Sequence, residues 1–177
     1  QLHALIDSVK NPYLSQLLKK LFVEDKEFMK VFEGHSAAKT VHHGFIGGLM
    51  EHTLGVTRLC DYMANAYPLL NRDLLITTAL LHDVVEDTEI TFEDLEKNFP
   101  EEVVEALRFL TRDKSMNYFD YIRNLRKNPI AKKVKQADLL HNSDVTRLTD
   151  CENISARQIS RLHGRYKRAL EILQETF

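Results

Sequence analysis

The chain has 177 residues, with 24 lysines and arginines against 26 aspartates and glutamates, and a formal net charge of −2. This length suits one domain with one sizeable core. The near balance of charge argues against a polybasic protein that wraps DNA, and a hydrophobic content of 44% argues against a disordered chain. We therefore expect an ordinary globular domain.

Neither a membrane span nor a signal peptide is visible. The longest mostly apolar run, Leu74 to Leu81, is too short to cross a bilayer. The start, Gln1-Leu2-His3, lacks a basic region followed by an apolar core. The chain holds 2 cysteines, Cys60 and Cys151, and a domain of this size needs no disulfide. We predict a cytoplasmic protein.

The sequence pattern predicts an all-α fold, a single-domain helical bundle. Glycine and proline are scarce, at 6 and 4 residues, and apolar residues recur every three or four positions, with no convincing strand. We expect helices over residues 11–23, 25–32, 45–67, 73–86, 91–98, 101–110, 117–127, 129–144 and 155–174. Several of them are preceded by an Asn, Thr or Ser that can cap the helix. Residues 39–43 are predicted to be a connector.

The segment His82-Asp83-Val84-Val85-Glu86-Asp87 gathers polar groups at the end of an apolar helix. At 100° per residue, its histidine and three acids share one arc of that helix. Holding them together is costly unless a cation neutralises the carboxylates. The alternative is a hydrated helix end with no ligand.

Two further helices supply polar groups at positions where apolar ones are expected. His52 lies on the buried stripe of its helix, and Asp138 continues the apolar stripe of the 129–144 helix, with Asn142 one turn later on the same face. His52 alone would more simply be a core histidine. Two histidines and two aspartates suit one divalent ion such as Mn²⁺, which we favour, or Fe²⁺, because structural zinc more often recruits cysteine.

The order His52, His82-Asp83, Asp138 on helices resembles the HD superfamily of metal-dependent phosphohydrolases. Residues 80–99 and 134–142 are similar to the hydrolase domain of Rel/Spo-type enzymes, which remove the 3'-pyrophosphate from guanosine alarmones with Mn²⁺. The resemblance implies a metal-site core over 38–148, preceded by a helical packing segment over 1–37. It also implies four metal ligands, which are His52, His82, Asp83 and Asp138. Glu86 and Asp87 would form the catalytic acid pair, and Asn142 would contact the substrate.

Residues 42–56 depart from the alarmone hydrolases and look more like the HD domains of YhaM-type exoribonucleases. The Arg-Lys pair that holds guanine in the alarmone hydrolases also has no clear counterpart, since 36–39 offers only Lys39. The two parts of the chain therefore point to different substrates.

These observations predict an enzyme that hydrolyses a phosphoric ester in a small nucleotide. One of the acid pair would orient or deprotonate the attacking water. His43, Lys135 and Arg147 are candidates to hold phosphate or base, although each is also explicable as a surface or connector residue. A nuclease acting on nucleic acid ends and a non-catalytic nucleotide-sensing module are the alternatives. We expect no membrane partner, and the sequence leaves a homo-oligomer open.

Charge is unevenly placed along the chain. Acids dominate from Asp83 to Glu105 and bases from Arg108 to Lys135, and Arg157, Arg161, Arg165 and Arg168 form a helical stripe. The simplest interpretation is a set of solvated faces. The alternative is that the basic segment forms a surface that binds a polyanion.

Overall fold

The computed structural model describes residues 1–35, 47–144 and 155–175, and every regular element within those ranges is helical. The predicted all-α class is thereby confirmed. The helices are α1 (Leu2–Asp7), α2 (Pro12–Lys19), α3 (Lys26–Gly34), α4 (Gly48–Ala66), α5 (Arg72–Leu81), α6 (Val84–Asp87), α7 (Phe92–Asn98), α8 (Glu101–Leu110), α9 (Tyr118–Leu125), α10 (Pro129–Asn142) and α11 (Ala156–Gln174).

The core lies among α4, α5 and α10, which pack against one another, with α8 on α5 and α10 and with α11 on α9 and α10. Apolar side chains of the three central helices are fully buried, among them Val56, Leu80 and Val134. Polar side chains are buried in the same layer, so the central helices enclose a polar cluster within an apolar shell.

The N-terminal helices pack on this core through α3 against α4 and α2 against α5. One turn of π-helix, Lys20–Glu24, continues α2. Phe22, Phe28 and Phe32 form an aromatic cluster with ring centroids 5.4 to 5.5 Å apart. Arg72 ties α1 to the core, because its Nη1 donates to the carbonyl of Ser8 at 2.8 Å.

The predicted caps of three helices are confirmed. The side chains of Asn71, Thr91 and Asn128 accept hydrogen bonds from the first turns of α5, α7 and α10, which satisfies backbone N–H groups that have no partner within the helix. The predicted start of a helix at Phe45 and the connector over 39–43 lie outside the described residues.

The predicted helix over 73–86 is wrong at its end. Helix α5 stops at Leu81, His82 and Asp83 form a turn, and α6 begins at Val84. In a continuous helix, neighbouring side chains diverge and do not face each other. The turn instead brings Asp83 Oδ2 to 3.1 Å from His82 Nε2. These two side chains therefore pair at the interruption between α5 and α6. The spacing of apolar residues in the sequence does not reveal this interruption.

Candidate metal centre

Three predicted ligands, His52, His82 and Asp83, meet between α4 and the α5–α6 turn, and the fourth, Asp138 of α10, contacts His52. His52 Nε2 lies 3.3 Å from His82 Nε2, 3.5 Å from Asp83 Oδ2 and 3.3 Å from Asp138 Oδ1. The histidines and Asp138 are buried, and Asp83 is half-buried. The structure therefore brings together all four side chains, although their role as ligands stays a prediction.

The donor atoms are spaced as a divalent ion requires. Atoms bound at about 2.1 Å lie about 3.0 Å apart at right angles and about 3.4 Å apart at tetrahedral angles. The spacings among His52, His82 and Asp83 run from 3.1 to 3.5 Å. These three residues each offer one donor atom, all within 4.8 Å of one another. They fit a single metal ion, and Asp138 Oδ1 lies 3.3 Å from His52 Nε2 at the edge of this group.

The orientation of His82 suits metal binding. Its Nδ1–H donates to the backbone carbonyl of Ala79 at 2.8 Å, so Nε2 is the nitrogen that faces the cluster. Burial alone would lower the pKa of His82, but the carboxylates of Asp83 and Asp138 raise it to about 9. Burial alone would raise the pKa of Asp83, yet His82 and His52 lower it. Without metal, a proton on His82 thus offsets the carboxylates.

Asp138 is held by two neighbours on its own helix. Lys135 Nζ lies 2.7 Å from Asp138 Oδ2, and Asn142 Nδ2 donates to Oδ1 at 2.6 Å. Although burial favours the neutral acid, Lys135 and the two histidines hold the pKa of Asp138 well below its usual range. Lys135 and Asn142 therefore lie at the centre, with Asp138 as their observed partner, and contact with a substrate stays a prediction for both.

The predicted acid pair lies on α6, just beyond the turn. Glu86 is exposed, and its Oε1 accepts a hydrogen bond from the backbone N–H of Arg112 at 2.9 Å. Burial, followed by the Asp83 and Glu86 carboxylates, raises the pKa of Asp87 to about 6. Both acids line a cavity of about 750 Å³ whose far wall includes Val31 and His35. This volume is in the range of small-molecule sites.

Sequence reasoning named Lys135 but missed the group of cationic and aromatic side chains to which it belongs. This group, the basic-aromatic cluster, is formed by Arg112, Tyr118, Tyr121, Lys135 and Arg165. The guanidinium carbons of Arg112 and Arg165 lie 5.6 and 4.8 Å from the Tyr118 ring centroid, and Lys135 Nζ lies 5.6 Å from that of Tyr121. The base-rich run from Arg108 to Lys135 was the available signal. Arg165, one residue of the arginine stripe, is exposed, so a solvated face stays the simplest interpretation of that stripe.

His141 was also missed, although it lies in the same motif as Asp138. It is buried, and its Nδ1 is 3.1 Å from Nδ1 of His52. Its position three residues after Asp138, on the same face of α10, was the signal in the sequence. Of the other predicted substrate-binding residues, His43 and Arg147 lie outside the described residues.

Residues 49–143 match the HD domain family, and the chain belongs to that family. Its similarity to two curated proteins covers about half of the chain. It is 34% identical over 86 residues to the 3'-5' exoribonuclease YhaM of Geobacillus sp. (strain WCH70), and equally so to that of Listeria innocua. The aligned part makes up 49% of this chain and 26% of either exoribonuclease.

The fold also matches a solved structure described as a metazoan orthologue of SpoT that hydrolyses ppGpp. The TM-score is 0.66 at 23% identity, covering 94% of this chain and 88% of the other. The class of protein is thus an HD-domain protein with a helical fold and a donor set that could hold a divalent ion. Within the described ranges, no helix is both long and apolar enough to span a membrane.

Proposed function

We propose that the protein is a metal-dependent phosphohydrolase that acts on a small nucleotide. The observation that carries this proposal is that two histidines and two carboxylates from three parts of the fold come together next to Asp87, an acid of raised pKa that lines a cavity of about 750 Å³. The residues that would hold one divalent ion, with Mn²⁺ favoured, are His52, His82, Asp83 and Asp138.

The chemistry divides between the metal centre and the acid pair. A bound divalent ion would lower the pKa of a coordinated water and polarise a phosphoryl oxygen. Asp87, with a pKa of about 6, is mostly a carboxylate at neutral pH and accepts the proton of the attacking water. The backbone N–H of Arg112 donates a hydrogen bond to Glu86, which holds the Glu86 carboxylate in place at the cavity wall.

The favoured substrate is guanosine 3',5'-bis(diphosphate) or a related pyrophosphorylated nucleotide. The Rel/Spo-like motifs over 80–99 and 134–142 support this choice, as does a fold shared with a ppGpp-hydrolysing protein. The basic-aromatic cluster offers the cations of Arg112 and Arg165 for phosphates.

Hydrolysis of nucleic acid ends is the second candidate function. The curated relatives are named as 3'-5' exoribonucleases. The resemblance of residues 42–56 in the sequence to such enzymes also favours this candidate. A nuclease needs several phosphate contacts along its strand, which makes its binding strongly dependent on salt.

A side-by-side assay separates the two activities. Purified protein with Mn²⁺ is given guanosine tetraphosphate or end-labelled single-stranded RNA at equal concentration, at low and at moderate salt. We expect a higher kcat/KM for the nucleotide, with Asp83→Ala inactive on both substrates. Shortening of RNA at an equal or higher kcat/KM, with a steep loss of this activity at moderate salt, would show that the substrate is nucleic acid and not a small nucleotide.

A further inference from the structure

We propose that His141 is a positioning residue of the metal centre, which holds the His52 ring so that its Nε2 faces the other ligands. The proposal rests on the proposed function, since it presumes that His52 is a ligand. It assigns a task to a buried histidine that the motif resemblance leaves without one.

The His52 ring is engaged at both of its nitrogens. Its Nε2 lies within 3.5 Å of His82 Nε2, Asp83 Oδ2 and Asp138 Oδ1. Its Nδ1 lies 3.1 Å from His141 Nδ1, with the two ring centroids 5.0 Å apart and the rings inclined by 63°. A rotation that preserved one set of contacts would break the other.

The chemistry of imidazole then fixes where the proton lies. A ligand nitrogen needs its lone pair, so His52 must carry its proton on Nδ1 when Nε2 faces a metal. That Nδ1–H donates to Nδ1 of His141, which accepts through its own lone pair. In most metal sites a carboxylate or a backbone carbonyl accepts this hydrogen bond, as the Ala79 carbonyl does for His82.

Gly55, on α4 one turn after His52, provides the space for the His141 ring. A Cβ placed on Gly55 would lie 1.9 Å from His141 Nε2 and 2.4 Å from its Cδ2. Any larger residue would push the ring away. The absence of a side chain at Gly55 and the contact with His52 thus belong to one arrangement, in which α10 delivers an acceptor to a ligand on α4.

Replacement of His141 by two residues separates positioning from packing. In His141→Asn, Oδ1 occupies the place of Nδ1 and can accept from His52, whereas His141→Leu fills space and accepts nothing. The dissociation constant for Mn²⁺ is measured by calorimetry and by electron paramagnetic resonance. We expect His141→Leu to weaken Mn²⁺ binding about 10- to 100-fold and His141→Asn to stay within about threefold of the parent chain.

Gly55→Ala provides a second route to the same displacement and is expected to weaken Mn²⁺ binding as His141→Leu does. A measurement on the unaltered chain avoids the question of folding. Loaded with diamagnetic Zn²⁺, it should show the His52 proton on Nδ1 in long-range ¹H–¹⁵N correlation spectra.

The outcomes distinguish this proposal from the proposed function. Unchanged Mn²⁺ binding in His141→Leu, or equal losses in His141→Leu and His141→Asn, would overturn the positioning role while the metal site stands. A His52 proton on Nε2 in the Zn²⁺-loaded chain would overturn it as well. A parent chain that binds no Mn²⁺ would overturn both proposals.

Discussion

Asp83 is the residue on which the geometry of the centre depends most. Its carboxylate approaches His82 to 3.1 Å and His52 to 3.5 Å, and its backbone, with φ −106° and ψ −1°, ends the preceding helix. Removing the carboxylate leaves two buried histidines and a single acid, which neutralise a divalent ion less well. Asp83 is therefore the ligand whose loss is most informative.

We expect Asp83→Ala to lose about one equivalent of metal when the protein is purified without chelator, because one donor and one negative charge are removed. Metal analysis by mass spectrometry measures this. Asp120→Ala is the matched control, since Asp120 is exposed on α9 and away from the centre. Equal metal content in the two variants would contradict the predicted ligand set.

Asp87 is suited to be the base because its environment raises its pKa. We expect Asp87→Asn to retain metal while kcat falls about 10²- to 10⁴-fold, the usual cost of losing a positioned base. Glu93→Gln, which alters an exposed acid on α7 that does not line this cavity, is the control and should keep kcat within about twofold. Full activity of Asp87→Asn would show that the base is another group.

The same shift predicts a change in stability with pH. Folding raises the pKa of Asp87 from 3.8 to about 6, so the folded state binds more protons between those values. Ionisation of Asp87 therefore lowers the free energy of unfolding as pH rises from about 4 to about 6. In metal-free protein, the Tm advantage of Asp87→Asn should grow across that window and level off above it. A constant difference would contradict the shift.

At the scale of elements, caps and long amphipathic helices could be predicted, because their signals are local. Asn71, Thr91 and Asn128 each precede a segment in which apolar residues recur with helical spacing, and each caps a helix. The turn at His82 and Asp83 could not be predicted, since it depends on contacts with His52 on α4. The π-helical turn after α2 has no local sequence signal either.

The centre shows the same division between local and tertiary information. Motif resemblance supplied the four ligand positions, which the fold brings together. The partners of Lys135 and Glu86 depend on tertiary packing, because Arg112 reaches Glu86 from beyond α8. The contact of His141 with His52 was not predicted, because a histidine next to a ligand motif has no distinct sequence pattern of its own.

The capping box of α7 provides a prediction about an element rather than the centre. Thr91 Oγ1 accepts from the N–H of Asp94, and the Asp94 side chain accepts from the N–H of Thr91. We expect Thr91→Ala to lower the free energy of unfolding by about 1 kcal/mol, measured by urea denaturation, with Mn²⁺ affinity unchanged. A loss of Mn²⁺ binding would show that α7 is coupled to the centre.

For the whole molecule, the centre joins α4, α10 and the α5–α6 turn, which surround the core. An ion bound only by the folded state stabilises it in proportion to saturation, by about 2.7 kcal/mol at 100 times the dissociation constant. We expect Mn²⁺ to raise the Tm of the unaltered chain and of Asp120→Ala in calorimetric scans. An equal rise in Asp83→Ala would place the ion elsewhere.

The uneven charge distribution along the sequence affects which groups surround the centre. The acid-rich run from Asp83 to Glu105 supplies Glu86 and Asp87. The base-rich run from Arg108 to Lys135 supplies Arg112, whose backbone N–H donates to Glu86, and Lys135, which pairs with Asp138. Cations and carboxylates therefore lie next to each other around the centre, and a phosphorylated substrate would meet both.

The most direct test of a metal-dependent phosphohydrolase is a screen of nucleotides, guanosine tetraphosphate included, that follows release of phosphate and pyrophosphate with Mn²⁺. The unaltered chain should release one of these products from at least one nucleotide, with loss of release on chelation and in Asp83→Ala. Release that persists undiminished in Asp83→Ala, or no release from any nucleotide by Mn²⁺-loaded protein, would contradict the account.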